Sequence, residues 1–185
     1  TTNARKRGFQ ARPVVGGLFV RLLADDTMRK NWSGRAAKVA GAWAPLPLPP
    51  TVAEVVPSAR KAPVTWRYAL ERPADGWIRP GFDDAAWKEG PAGFGTAGTP
   101  GSVVRTEWKT TNIWLRRAFV LGAQPLRDPR LIVHFDEDAE VYLNGILAAA
   151  LDGWSSDYET RPIRPEAAAA LRPGTNVLAV LCRQK

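Results

Sequence analysis

The chain is predicted to be mainly β: an antiparallel β-sandwich over residues 64–185, entered through a helical segment (1–43) and a proline-rich connector (44–63). Three observations predict it. From Val64 onward, β-branched and aromatic runs recur as VTWRYAL, IWLRRAFVL, RLIVHF, AEVYLNG and NVLAVLC. Turn residues punctuate them every ~8 to 12 positions, the rhythm of two packed antiparallel sheets. The last third, Asp136 to Val180, then reads as an acidic loop feeding a strand, an Asn-Gly turn, an aromatic loop and a closing strand entered through Pro-Gly.

The elements follow in chain order. Val15, Leu18, Phe19, Leu22 and Leu23 fall at helical spacing, which predicts one helix. Asp25 and Asp26 suit the start of a second, continued by Met28, Trp32, Ala36 and Val39. Such a pair cannot bury its own apolar face and needs a surface to pack on. Residues 41–63 hold six prolines and read as a semi-rigid connector, with Trp43, Leu46 and Leu48 expected against a domain surface. The stretch Gly76–Gly101 contains seven glycines and is expected to be one long ordered loop. Asn144-Gly145 predicts a type I′ hairpin turn, and AAAA at 167–170 a single helical turn before LRPG.

Composition narrows the function classes. With 185 residues, 45% hydrophobic and 24% charged, the chain suits a globular domain with an extension. Its longest apolar run, Val14–Leu23, is too short and interrupted for a membrane span. Positions 1–30 show no signal-peptide pattern, so an export signal would lie outside this sequence. The net charge of +8 resides entirely in residues 1–61, which carry 11 Lys/Arg against 3 Asp/Glu, while 62–185 carry 15 of each. A neutral body lacks the basic face of a nucleic-acid reader, although Arg5, Lys6 and Arg7 would form a basic arm. No nucleic-acid partner is therefore expected.

Candidate residues are few. Cys182 is the only cysteine and reads as a buried small hydrophobe in VLAVLC. His134 is the only histidine, which removes His-His metal pairs and leaves a strand-like histidine in LIVHF. Asp83 and Asp84 are adjacent, whereas glycosidic carboxylates stand about 5 to 9.5 Å apart across a sugar. They are expected to cap a turn, with Phe82 and Trp87 plugging the sandwich. Asp136, Glu137 and Asp138 offer hard oxygens near a turn, which makes Asp136 and Asp138 calcium candidates, though turn formation also accounts for them. Eight tryptophans are present. Trp66, Trp87 and Trp114 are assigned to the core, while Trp154 sits in the polar loop DGWSSD, with no structural need for an indole. Trp154, Asp152, Asp157 and Tyr158 form the candidate glycan site, with Trp77 and Trp108 as lesser members. No nucleophile–base pair or phosphate cradle is evident, so no catalytic residue is assigned.

The motifs GFDDAAWKEGPAGFG (81–95), NIWLRRAFVL (112–121), DEDAEVYLNG (136–145) and LRPGTNVLAVLCRQ (171–184) occur in this order. Through them residues 64–184 resemble the galactose-binding-like jelly-roll modules of family 2 glycoside hydrolases and other bacterial extracellular proteins. The stretch GFQARPVVGGLFVRLLAD, followed by NWSGRAAKVAGAWAPLPLPP, resembles the C-terminal end of the glutaminase A family's helical domain over residues 8–49. The resemblances imply a jelly-roll accessory module at the end of an exported hydrolase-like protein, extracellular or periplasmic. Its partner would be an upstream catalytic-type domain of the same polypeptide. They imply no cofactor other than a structural calcium, which many such modules carry. Two alternatives stand beside this reading: a genuine carbohydrate-binding module, and a fragment that is a hydrolase only through its parent.

Overall fold

The computed structural model describes residues 9–14, 17–22 and 52–184. It divides into two compact units, Thr1–Ala53 and Glu54–Lys185. In the first, strand β1 (Phe9–Val14) pairs antiparallel with β2 (Gly17–Leu22), in a register that joins Val14 to Gly17. This corrects the helix expected over Val15–Leu23. Leu18, Val20 and Leu22 alternate as a strand requires, and over six residues the periods of two and 3.6 accommodate the same apolar set. The Met28–Val39 stretch and the connector's Trp43, Leu46 and Leu48 lie outside the described residues.

The second unit is built on strands. In chain order these are β3 (Val64–Ala69), β4 (Lys88–Ala92), β5 (Phe94–Gly95), β6 (Thr106–Glu107), β7 (Asn112–Leu121) and β8 (Arg130–Val133). Then follow β9 (Asp138–Leu143), β10 (Ile146–Leu151), β11 (Glu159–Pro162), a short helix α1 (Pro165–Ala169) and β12 (Gly174–Arg183). Six of them form one antiparallel sheet in the order β10-β9-β12-β7-β3-β4. The pair β8–β11 forms a separate antiparallel ribbon, and β5–β6 a short parallel contact. The expected mainly-β antiparallel architecture is what the chain adopts.

The register explains the core. Val180 on β12 lies opposite Leu115 on one side and Val141 on the other, while Cys182 lies opposite Ile113 and Ala139. Side chains opposite one another share a face, so these residues make one apolar surface. Leu131 from the ribbon, Ile163 and Ala167 of α1 cover one half of it, and Trp108 and Phe94 cover the other. Each Leu, Val or Ile so removed from water contributes roughly 2 kcal/mol.

The opposite face carries Arg67, Arg116 and Tyr142, and the segment before β4 lies over it. The Trp77 ring meets Tyr142 edge-on at 5.8 Å, and the Arg116 guanidinium lies 5.3 Å from the Phe82 ring centre. The Gly76–Gly101 stretch is thus not a single loop, since it contains β4 and β5. Gly90 and Pro91 suppress the strand signal in KEGPA, yet β4 sits at the sheet edge, where proline's missing N–H breaks no ladder bond.

One polar lock closes the far end. Asn144 and Gly145 have φ of 50° and 88°, as a tight hairpin between Leu143 and Ile146 requires. Asn144 Nδ2 donates to Asn176 Oδ1 (2.8 Å) and to the Ala170 carbonyl (2.8 Å), while its Oδ1 accepts from Val177 N–H (2.9 Å). Asn176, 0% exposed, also donates to the Arg172 and Gly174 carbonyls. Asn176→Ala removes the four hydrogen bonds made by this buried side chain. It is expected to lower the unfolding free energy by about 2 to 3 kcal/mol, read as a lower urea midpoint at unchanged m-value.

Candidate functional site

The stretch 152–158 is positioned by one buried serine. Ser155 is 5% exposed and makes three hydrogen bonds to the Phe135 backbone: its N–H (2.9 Å) and its Oγ (3.2 Å) donate to the Phe135 carbonyl, and Phe135 N–H donates to its Oγ (3.0 Å). A β-bridge pairs Asp136 with Trp154. Extended backbone alternates its side chains, so anchoring Ser155 inward turns Trp154 outward, where it is 70% exposed. Gly101 braces the other side: a Cβ there would stand 2.0 Å from the Ser156 carbonyl oxygen, so only glycine fits.

The neighbouring residues are engaged to different degrees. Asp157 Oδ1 accepts from Tyr158 N–H at 2.7 Å. The Tyr158 ring is half-buried between His134 (5.5 Å between centroids) and the Arg60 guanidinium (6.0 Å). Asp152 is exposed in the same stretch. His134 follows the end of β8 and places Nε2 3.0 Å from the Pro100 carbonyl. Arg60 and the histidine were not in the sequence-derived set; the charge at Arg60 reads there only as part of the connector.

The two lesser aromatic candidates lie elsewhere. Trp108 is 6% exposed inside the apolar cluster with Ile113 and Leu115, and its Nε1 donates to Thr110 Oγ1 at 2.8 Å. Its polar flanks, TEWKTT, disguise a core residue, and the expectation of ligand contact is corrected. Trp77 is half-buried against Tyr142, whose hydroxyl donates to Glu140 Oε2 at 2.6 Å and is pushed up to about 12 by burial and by that bond. Asp136 lies at the bridge to Trp154 and Asp138 opens β9. Among the described residues no three Asp, Glu, His or Cys side chains converge as a metal centre.

A second polar cluster is the one the sequence reading missed. Asp84, read there as a turn cap, takes Arg116 Nε on Oδ2 and Arg67 Nη1 on Oδ1, both at 2.7 Å. Glu89 adds a second contact to Arg67 at 3.2 Å, and Arg116 also donates to the Trp77 carbonyl. The capping role falls to Asp83, whose Oδ1 accepts from Ala85 N–H at 2.9 Å. Burial works against the Asp84 carboxylate, but the Arg116 and Arg67 guanidiniums outweigh it and hold it below its ordinary pKa. The available signal was the doubled arginine in IWLRRAFVL: an apolar central strand has no reason to hold Arg116 inward unless a carboxylate meets it.

No protein-family model and no curated protein matches the sequence. Among solved structures, a β-glycosidase from Bacteroides vulgatus is 15% identical, with a TM-score of 0.45 over 63% of this chain and 16% of its own. A glycosyl hydrolase family 2 member from Bacteroides cellulosilyticus is 15% identical, with a TM-score of 0.46 over 65% of this chain and 17% of its own. A β-glucuronidase from glycoside hydrolase family 2 is 18% identical, with a TM-score of 0.46 over 71% of this chain and 15% of its own. The chain therefore spans about one sixth of the length of each.

Two outcomes are expected. Asp84→Asn removes the counter-charge from Arg116, whose side chain is 2% exposed, and lowers stability at pH 7 by about 3 kcal/mol. Because the Asp84 pKa is depressed in the folded state, this contribution is complete above the ordinary carboxylate range and is lost as pH falls through the depressed value. Urea titrations of the two proteins should differ by a constant amount from about pH 5 to 7 and draw together as the pH falls below the ordinary carboxylate range. Separately, burial pushes the Cys182 thiol up to about 12. Iodoacetamide at pH 8 is expected to leave it unmodified by mass spectrometry until denaturant is added.

Proposed function

We propose that the Glu54–Lys185 unit is a non-catalytic accessory β-sandwich of a larger hydrolase-like protein, and that its 152–158 loop offers a glycan contact. The observation that carries this reading is the outward Trp154 beside the buried Ser155. A protein gains nothing in stability from an exposed indole on a pinned loop, whereas a flat aromatic face stacks well on the apolar face of a sugar ring. Asp152, Asp157 and Tyr158 supply acceptors and a hydroxyl alongside it. The groups that would carry chemistry are committed elsewhere: the Cys182 thiol is held protonated, Asp84 is bound by two guanidiniums, and the His134 Nε2 faces a carbonyl.

On this reading the partner is an upstream catalytic-type domain of the same polypeptide, glutaminase A-like or glycosidase-like, and the protein works outside the cytoplasm. The motifs over 8–49 and 81–184 support that context. The alternative of a module specialised for carbohydrate capture is favoured by the same exposure of Trp154, and differs only in affinity.

The test is a titration of the chain with soluble oligosaccharides and polysaccharides, read by tryptophan fluorescence and heat. A saturable response is expected that disappears in Trp154→Ala, while thermal stability stays within about 0.5 kcal/mol of the parent. A response unchanged in Trp154→Ala, or none across the panel, would remove the glycan role from this loop.

A further inference from the structure

The hairpin turn between β9 and β10 holds the only Asn-Gly pair in the chain, Asn144-Gly145. This pair carries a latent reaction. With no side chain beside it, the glycine backbone nitrogen can attack the asparagine Cγ. A new C–N bond closes a cyclic imide, and the side-chain nitrogen leaves as ammonia. Water then opens the ring at one of its two carbonyls. One opening gives aspartate, and the other gives isoaspartate, in which the backbone runs through the former side chain. Water is the only co-reactant.

The folded structure withholds this step. Both ends of the Asn144 amide are engaged by residues 26 to 33 positions along the chain: Nδ2 by Ala170 and Asn176, Oδ1 by Val177. The backbone N–H of Asn144 is tied to the Val177 carbonyl as well, at 2.9 Å. The attacked carbon must become tetrahedral and its nitrogen must depart, so the amide has to abandon all three side-chain partners. Gly145 is also covered, since a Cβ built on it would meet Arg79 and the Ile78 carbonyl at 3.6 to 3.7 Å.

We propose that Asn144 is a modification site that becomes reactive only when the unit unfolds, and that its conversion to aspartate or isoaspartate bars return to the native fold. The amide is a donor to Asn176 Oδ1 and the Ala170 carbonyl, both acceptors. An ionised carboxylate has no hydrogen to offer either of them, and it brings a charge against a side chain that is 0% exposed. Asn176 cannot turn its own amide round to compensate. Its Nδ2 already donates to the Arg172 and Gly174 carbonyls, and its Oδ1 accepts from Arg172 N–H at 3.1 Å. Isoaspartate is worse placed, because it lengthens the backbone of a two-residue turn whose φ values of 50° and 88° close the β9–β10 ladder. A molecule that stays open long enough is thereby marked and withdrawn from the folded pool.

The test incubates the full chain in mildly basic buffer, folded and in urea, and reads residue 144 by peptide mapping that resolves isoaspartate from aspartate. In urea, conversion is expected at the pace of a synthetic peptide of residues 141–148. The folded chain should convert about a thousandfold more slowly or less, because it reacts only through its unfolded fraction. Gly145→Ala, whose β-carbon shields the nitrogen, should lose most of the conversion in urea, a result that needs no folded state. After dilution from urea, converted chains should not regain the parent's urea midpoint. Asn144→Asp should share that defect, as a lower midpoint or a failure to fold. Equal rates in the folded and unfolded chains would overturn the proposal, as would absence of conversion at residue 144 in urea. Recovery of the parent's midpoint by converted chains or by Asn144→Asp would also overturn it.

Discussion

Arg67 and Arg116 stand directly opposite each other on β3 and β7, two like charges on one face of a sheet. Left alone, such a pair would push the strands apart. Asp84 is the residue that converts this repulsion into attachment, one oxygen to each guanidinium. Because Asp84 belongs to the segment before β4, the same two bonds draw that segment across the sheet. Phe82 follows onto Arg116, and the Trp77 carbonyl is brought to the same guanidinium. One carboxylate thereby decides both how β3 sits beside β7 and what covers the face opposite the core.

The two faces of the sheet are held by different physics. The core face is apolar and cohesive without direction, with Val180 common to both of its halves. The other face is directional, and so specifies geometry more sharply than the core does. The Asn144–Asn176 lock plays the same part at the β9–β10 hairpin, where it ties that turn to the segment entering β12. Ser155 repeats the device on a smaller scale for the aromatic loop. In each case a buried polar side chain sets the position of a turn, and the exposed residues beside it inherit that position.

Much of this organisation was legible from the residues. Strand-rich runs, the Asn-Gly turn and the short helix before LRPG all carry local signals that the tertiary structure leaves intact. Other features depended on contacts made far along the chain. The helical stripe around Leu18 failed because a six-residue apolar pattern fits both periods and pairing with β1 selects one. β4 was hidden by Gly90 and Pro91, residues that only an edge strand tolerates. Trp108 looked like a surface aromatic because its neighbours are polar, yet its own ring faces inward. Asp84 could not be assigned without knowing that two arginines, 17 and 32 residues away, converge on it. Of the candidate site, Trp154 and its loop were found by composition, while the inward anchor at Ser155 was not, because its partner Phe135 lies 20 residues away.

The main sheet ends on two unequal rims. At one rim, Pro91 interrupts the row of donors that β4 would otherwise present. At the other, the register of β10 shifts between Leu147 and Ala149, which breaks the regular spacing that a docking strand would have to match. Neither rim offers a second copy a continuous template to extend. Molecules of this unit are thus kept from zipping together edge to edge.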